Sequence, residues 1–291
     1  YCIGELIRGA AMDNNDRFRR PSDGRLPRNR KELFFNIMRW RFTYLLAVGL
    51  LSLAFLLPDI AVLTYNDIAA SVISQGGEGV ASKIVTLRLQ TSLLQVVSYV
   101  VLFFGASGVF YLFRQLAWDE PTPIFSGWWK GVKQNWKHYT FFGVCVGILN
   151  VLNTFAEVLL HGFVKYVPRA LFVLIVVPVL LYAAFLDVVY SKKIGNLLSS
   201  AATLYFKTLP ITLLFALLVI APSLLLFVPK FTIRYAILAV WVVVAVPIVL
   251  FGWTLYAMDK LDKFINKEHY PEIYNKGVYV DKASGVEDAE E

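Results

Sequence analysis

The stretch Leu89–Phe113 reads LQTSLLQVVSYVVLFFGASGVFYLF and carries no charged residue between Arg88 and Arg114. At about 1.5 Å per residue, a helix of this length covers about 37 Å, which is enough to cross a hydrocarbon core about 30 Å thick. The run does not alternate between polar and apolar residues, so it does not have the pattern of a strand in a membrane barrel. The stretch therefore predicts a membrane-spanning helix.

Five more apolar runs have the length of a membrane span, or nearly so. They cover about Phe42–Tyr65, Tyr139–Leu160, Leu171–Leu186, Ile211–Val228 and Tyr235–Met258. Helices are the only open-ended elements that satisfy all their backbone groups within lipid. The chain is therefore predicted to be all-α, a polytopic membrane protein with six transmembrane helices.

The composition supports this class of protein. Of the 291 residues, 57% are hydrophobic and only 17% are charged, whereas a soluble domain has about 45–50% and about 25%. So much apolar sequence excludes general disorder, and two cysteines, Cys2 and Cys145, exclude a disulfide scaffold. With only three histidines, neither a metal centre nor a cofactor is expected.

The positions of the basic residues predict the orientation. Of the 28 Lys and Arg, 22 fall in the N-terminal arm, the C-terminal tail and the loops that six spans would place on their side, and 6 fall on the other. Basic residues accumulate in cytoplasmic segments, so both termini are predicted to be cytoplasmic. The net charge of +7 then reflects this bias in a membrane protein, whose partner is the lipid bilayer and not a nucleic acid.

Three regions follow along the chain. Residues 1–30 are predicted to be a flexible basic arm, 31–277 a six-span membrane domain, and 278–291 a disordered acidic tail. The first 30 residues lack an apolar core, so no removable signal peptide is expected, and Met12 is an alternative start to Tyr1.

The segment Ile124–Tyr139 combines aromatic and basic residues at helical spacing. Trp128, Trp129 and Trp136 are predicted to share one face, and Lys130, Lys133 and Lys137 another. This pattern predicts an amphipathic helix lying in the membrane interface on the cytoplasmic side. These six residues form a candidate face for docking a partner or lipid headgroups; the alternative is an anchor for the adjacent spans.

Two other segments have similar features. Lys31–Arg41 and Ser191–Thr208 carry apolar residues at helical spacing and are predicted to be cytoplasmic interfacial helices. Because a span, a cytoplasmic helix and a span occur in order over 89–160 and again over 171–228, an internal duplication is a hypothesis.

Two carboxylates within the apolar runs, Asp59 and Glu157, are candidates for function. A charge at mid-membrane costs about 2.5–3.5 kcal/mol, so each needs a physical reason. One is a path for protons or cations; the other is snorkelling, or an ion pair with one of the nearby basic residues. Those basic residues are Lys83, Arg88, Lys165 and Arg169. The chain has no G-x-S-x-G, H-E-x-x-H or Walker A sequence, so no catalytic residue is predicted.

Two segments resemble the YesL-like family of bacterial membrane proteins. Gly105–Lys137 reads GASGVFYLFRQLAWDEPTPIFSGWWKGVKQNWK and is similar to the family's small-residue run, acidic turn and lysine- and aromatic-rich helix. The tail Met258–Gly277, MDKLDKFINKEHYPEIYNKG, is similar to the family's F-D-K-Y-I and Y-P-E-Y-Y ending. The motif residues are Asp119, Glu120, Asp262, Lys263, Tyr270, Pro271 and Tyr274. The loop 66–88 is an insertion relative to typical members.

The resemblance implies a bacterial plasma-membrane protein of unassigned activity, often encoded beside carbohydrate ABC importers. It supplies no catalytic residues. The expected function is a non-enzymatic accessory or regulatory membrane protein linked to carbohydrate ABC import or envelope glycan metabolism, with a sugar importer or another membrane protein as partner. The alternatives are a small secondary transporter that uses Asp59 and Glu157, and an enzyme that handles lipid or glycan.

Overall fold

The computed structural model describes residues 27–190, 192–221 and 231–278. Within these ranges the chain is helical throughout its regular structure, with no strand. This confirms the all-α class predicted from the apolar runs. The predicted acidic tail, apart from Val278, and residues 1–26 of the predicted arm lie outside the described residues.

Eight helices follow one another in the described ranges and are numbered here α1 to α8. α5 includes a 3₁₀ turn at Gly162–Tyr166 and a π turn at Phe172–Val176, and α8 includes π turns at Trp241–Ala245 and Asp262–Asn266. The bounds are α1 Arg30–Trp40, α2 Phe42–Ser74, α3 Val80–Ala117, α4 Ile124–Leu159, α5 Gly162–Val189, α6 Ile194–Lys207, α7 Leu209–Ile220 and α8 Thr232–His269.

Five of the described helices, α2, α3, α4, α5 and α8, are long and apolar enough to cross a membrane. The count becomes six if α6 and α7, which are bent by 106° at Thr208, form one span. A membrane-spanning protein is therefore indicated, as the sequence predicts. Part of the fifth predicted span, residues 222–228, lies outside the described residues.

The prediction of a separate interfacial helix at Ile124–Tyr139 is corrected by the structure. α4 continues without a break from Ile124 to Leu159, so this segment forms the first turns of a spanning helix. The physical reason is that no proline interrupts residues 124–159, and its glycines lie where another helix packs closely. The change from mixed to apolar composition near Tyr139 therefore does not mark a helix boundary.

The described chain divides into two compact units. The described part of the first unit contains residues 27–43, 115–122 and 255–278; the second contains 44–114 and 123–254. The second unit holds the apolar helices, and α3 and α4 pack closely within it. A Cβ atom added at Gly143 would lie 2.8 Å from Val100 Cα, and one at Gly147 would lie 2.7 Å from Val96 Cα. Glycine is needed there because the two backbones leave no room for a side chain.

An aromatic core lies on the α5 side of the second unit. The buried Trp253 ring packs edge-on against Tyr182 and Phe185, with ring centroids 5.4 and 5.6 Å apart, and against Phe110 at 6.2 Å. The Tyr139 hydroxyl donates to the Ala184 carbonyl at 2.6 Å. Edge-to-face aromatic pairs of this kind contribute about 0.5–1.5 kcal/mol each beyond burial of their surface, so they fix α3, α4, α5 and α8 within this unit.

Helix α1 of the first unit begins next to the predicted boundary between the arm and the membrane domain at residue 30. Asn29 caps α1, since its side-chain oxygen accepts from the Glu32 amide at 2.8 Å, and Arg30 is the first helical residue. Leu33 and Ile37, one turn apart, are buried. An Asn cap followed by an apolar pair at helical spacing is a helix start, and it lies within two residues of the predicted boundary.

Candidate functional site

A network of buried polar groups holds the first unit together, and it is centred on Arg30. The Arg30 guanidinium donates to the carbonyls of Ala117 and Lys276, at 2.8 and 2.9 Å, and to Asp262 Oδ2 at 2.9 Å. The side chains of Arg30 and Asp262 are only 10% and 7% exposed. The amide of Asn266 completes the site by donating to Asp262 Oδ1 at 2.7 Å. These five residues are called the Arg30 cluster below.

The positions of these groups in the helices explain the arrangement. Ala117 is the last residue of α3, where unpaired carbonyls give the helix end a negative partial charge that favours a cation. Asp262 and Asn266 are four residues apart on α8 and so lie on one face. A guanidinium has enough donors, in a planar fork, to satisfy a carboxylate and two carbonyls together.

A second group of contacts joins the turn after α3 to the C-terminal segment. Arg41 pairs with Asp119 at 3.2 Å, and the Lys276 ammonium pairs with Glu120 at 3.2 Å while lying 4.3 Å from the Trp118 ring centroid. Asp119 has a φ of 54°, a left-handed conformation that Asp tolerates better than most residues. Asp119 and Glu120 are therefore each paired with a cation, and the two cations come from segments near opposite ends of the described chain.

Gly277 brings the backbone of the C-terminal segment close to the end of α3. Its φ is +85°, and a Cβ atom there would lie 2.5 Å from the Ala117 carbonyl oxygen and 2.7 Å from the Trp118 carbonyl carbon. Only glycine fits both the conformation and the space. The C-terminal segment is consequently seated against the end of α3.

The motif residues of the YesL resemblance fall into two groups. Asp119, Glu120 and Asp262 are brought together in the first unit by ion pairs, whereas Lys263 is exposed beside the Phe264 ring. Tyr270, Pro271 and Tyr274 belong to the turn that follows α8, with Pro271 as the first residue of a 3₁₀ turn and Tyr274 partly exposed. Arg30 is not among the residues predicted from the sequence. Its position directly after Asn29, a residue type that often caps helices, was the pattern that could have indicated a folded position.

The six residues predicted as a docking or headgroup face do not form two separate faces. Trp128 is buried: its indole N–H donates to the Gly105 carbonyl at 3.0 Å, and its ring stacks on Phe55 with centroids 5.1 Å apart. Trp129 and Trp136 are each 44% exposed. The predicted grouping of all three tryptophans is wrong because Trp128 is rotated about 100° from Trp129 around the helix.

The exposed tryptophans lie with the lysines. Lys133 Nζ is 5.6 Å from the Trp129 ring centroid, and Lys137 Nζ is 5.9 Å from the Trp136 ring centroid. Phe125, 74% exposed, extends the same side of α4. The surface formed by Phe125, Trp129, Lys130, Lys133, Trp136 and Lys137 is called the lysine–tryptophan face below.

The two carboxylates of the predicted ion path have different partners. Asp59 accepts from the Gln95 amide at 3.2 Å, and Gln95 in turn accepts from the Asn150 amide at 2.9 Å. Glu157 is paired with Arg169 at 2.8 Å, which is one of the ion pairs that the sequence offered as the alternative to a path. The structure therefore gives Asp59 polar neighbours on two other spans and gives Glu157 a counter-ion.

Two further polar pairs in the second unit were not predicted. His138 Nδ1 lies 2.6 Å from Asp187 Oδ1, which links α4 to the C-terminal end of α5. Arg234 on α8 pairs with Asp67 on α2, and the Tyr235 hydroxyl donates to the same carboxylate at 3.1 Å. Each pair joins residues far apart in sequence, so no local pattern predicts it.

Comparison with known proteins adds no assignment. No protein-family model matches the chain, and no curated protein or solved structure matches it significantly. Among the described residues, no group of three or more His, Cys, Asp and Glu side chains is arranged to hold a metal ion.

Proposed function

We propose that this chain is a non-enzymatic accessory or regulatory protein of the bacterial plasma membrane, with both termini in the cytoplasm. The orientation is supported by the 22 basic residues that fall on one side of a six-span arrangement, against 6 on the other. The observation that carries the accessory role is the first unit, which is a small folded body made of three distant segments.

The first unit has features that a docking body needs. Its interior is fixed by the Arg30 cluster and by buried apolar residues of α1 and α8. Its surface exposes aromatic rings, with Phe35 68% and Trp40 58% exposed. Large rings on a rigid support contribute much of the binding energy in protein interfaces. The partner class is a membrane protein, and the resemblance to YesL-like proteins makes a carbohydrate ABC importer or an enzyme of envelope glycan metabolism the specific proposal.

Photo-crosslinking in the native host tests this proposal. A photoreactive amino acid placed at Phe35 should capture a subunit of a sugar importer or a glycan enzyme, identified by mass spectrometry. The matched control is the same substitution at Phe163, which is 80% exposed in the first turn of α5, on the predicted outer side. Capture of an unrelated membrane protein at Phe35 would refute the carbohydrate link, and equal capture at both positions would refute the docking role.

A small secondary transporter is the second candidate, and the chain of contacts from Asp59 to Gln95 and Asn150 favours it. These side chains come from α2, α3 and α4, and α2 continues past Asp59 to Ser74. An ionisable residue within a span with polar partners is the usual mark of an ion pathway. Purified protein in liposomes with an imposed pH gradient should then move protons, and Asp59→Asn should abolish this flux. Absence of flux in the unsubstituted protein would reject the transporter.

A further inference from the structure

The depth of the lysine–tryptophan face in the membrane follows from the packing of α4 on α3. A Cβ atom at Gly131 would lie 2.4 Å from Tyr111 Cβ, just as Gly143 and Gly147 lie against Val100 and Val96. In all three pairs the two residue numbers add to nearly the same value, as they must for antiparallel neighbours. This register continues to the start of α4, since the helix has no break.

The register places the lysines near one end of the apolar span. Lys133 lies level with about residues 109–110 of α3, and Lys137 about one turn deeper. The charge-free run of α3 ends at Phe113, and its length of about 37 Å exceeds a hydrocarbon core of about 30 Å, so its last residues reach the headgroups. The Cα atoms of Lys130, Lys133 and Lys137 therefore spread over about 10 Å along the helix axis, from the edge of the hydrocarbon core at Lys130 to a position below it at Lys137. A lysine stem is long enough to extend its ammonium group from there toward the headgroups.

The charge around this face is of one sign. Residues 121–156 contain three lysines and no Asp or Glu. On the adjacent α5, Asp187 is directed to His138, and its side chain is only 4% exposed. Arg114 of α3, whose guanidinium lies 4.4 Å from the Tyr111 ring centroid, adds a cation at the same level. The exposed charge on these segments is therefore positive. The carboxylate that precedes them along the chain, Glu120, is 52% exposed and is paired with Lys276.

The exposed aromatic rings of the lysine–tryptophan face are also of a kind that is favoured at the membrane interface. Indole and phenyl groups are favoured at the membrane interface because an apolar body meets the acyl chains while a polar edge or a neighbouring cation meets the headgroups. Trp129 and Trp136 each have a lysine ammonium within 6 Å of the ring. A lysine held beside a ring keeps its charge directed outward along the helix surface.

We propose that the lysine–tryptophan face binds anionic phospholipid, with the ammonium groups of Lys130, Lys133 and Lys137 on the phosphates and the exposed rings at the glycerol level. The depth of the face favours lipid over a protein partner, because these side chains lie where lipid headgroups already surround the helix. The proposal does not depend on the docking role of the first unit.

Lipid binding to the purified, detergent-solubilised protein tests the proposal. Native mass spectrometry would count bound phosphatidylglycerol, with phosphatidylcholine as the neutral comparison and inorganic phosphate as a free competitor. The triple variant K130Q/K133Q/K137Q should bind phosphatidylglycerol about 100-fold more weakly, since each lysine near an anionic surface contributes about fivefold. The variant K130R/K133R/K137R should retain binding, and inorganic phosphate should not displace the lipid.

A matched control separates a specific face from general charge. The variant K31Q/K263Q/K267Q removes three exposed lysines from segments predicted to be on the same side, so its net charge is the same as that of the test variant. This control should bind phosphatidylglycerol like the unsubstituted chain. Equal loss in both variants, or no loss in the test variant, overturns the proposal. If the test variant loses a photo-crosslinked protein partner but still binds phosphatidylglycerol, the proposal is overturned in favour of a protein-binding site.

Discussion

The Arg30 guanidinium donates to the Asp262 carboxylate at 2.9 Å, although the two residues are 232 positions apart in the chain. Both side chains are at least nine-tenths buried. Arg30 also donates to the carbonyls of Ala117 and Lys276, and Asp262 also accepts from the Asn266 amide. A buried ion pair contributes little over an apolar pair of the same size, but loss of one partner leaves an uncompensated charge. This relationship predicts which substitutions the first unit cannot tolerate.

Asp262→Asn should destabilise the protein by about 3 kcal/mol, because the buried Arg30 charge then lacks a counter-ion. The matched control is Asp259→Asn, the same chemical change one turn earlier on α8. Asp259 is 57% exposed and pairs with its neighbour Lys260, so its loss should cost less than about 1 kcal/mol. Thermal unfolding in detergent measures both. If the two variants melt at the same temperature, the Arg30 cluster does not hold the unit together.

Gly277→Ala should release the C-terminal segment from the end of α3. The added methyl group would meet the Ala117 carbonyl, and the left-handed conformation would itself cost about 1–2 kcal/mol. Gly195→Ala is the control, because a Cβ at Gly195 meets nothing within 4 Å and α6 should gain slightly from alanine. Limited proteolysis of the C-terminal segment reports the effect. Equal protease resistance in both variants would show that this segment is not held at Gly277.

The tryptophans of α4 should differ sharply in their effect on stability. Trp128→Ala removes a buried ring and its hydrogen bond to Gly105, so a loss of about 3–5 kcal/mol is expected. Trp129→Ala changes a half-exposed ring on the next residue, so the cost should be below about 1 kcal/mol. Thermal unfolding in the same detergent compares the two. A Trp129 variant as unstable as the Trp128 variant would place Trp129 in the core.

The features that could be predicted from the sequence are those that depend on residues close together in the chain. An uncharged run such as Leu89–Phe113 must be buried in lipid or protein along its whole length, so the helix follows from local composition. The partner of Glu157 was among a few nearby cations, since Arg169 follows only twelve residues later. The sequence therefore predicted what depends on one segment or on adjacent segments.

The remaining features depend on side-chain direction and on distant contacts. Trp128 and Trp129 are adjacent in sequence, yet only the packing of α4 on α3 decides which is buried. Similarly, Arg30 has a partner on α8 that no periodic pattern connects to it. The unit boundaries in the described chain arise from such contacts, which no single segment of the sequence reveals.

The orientation predicts opposite accessibility for two glycines. Gly76 lies in the exposed turn between α2 and α3, and Gly195 lies exposed on α6. In a background that replaces Cys2 and Cys145 by serine, a membrane-impermeant maleimide should label Gly76→Cys in intact cells, and should label Gly195→Cys only after permeabilisation. The charge bias predicts that the loop of Gly76 is outside and the segment of Gly195 inside.

The same labelling also tests how many helices cross the membrane between the two positions. α3, α4 and α5 separate Gly76 from Gly195, so three crossings put the glycines on opposite sides. The reverse pattern would keep the three crossings and invert the protein in the membrane, which would place the lysine–tryptophan face on the outer leaflet. Labelling of both cysteines in intact cells would mean that one of the three helices does not cross. α5 would then be the helix to test first, because its first turn is a 3₁₀ turn and its middle a π turn.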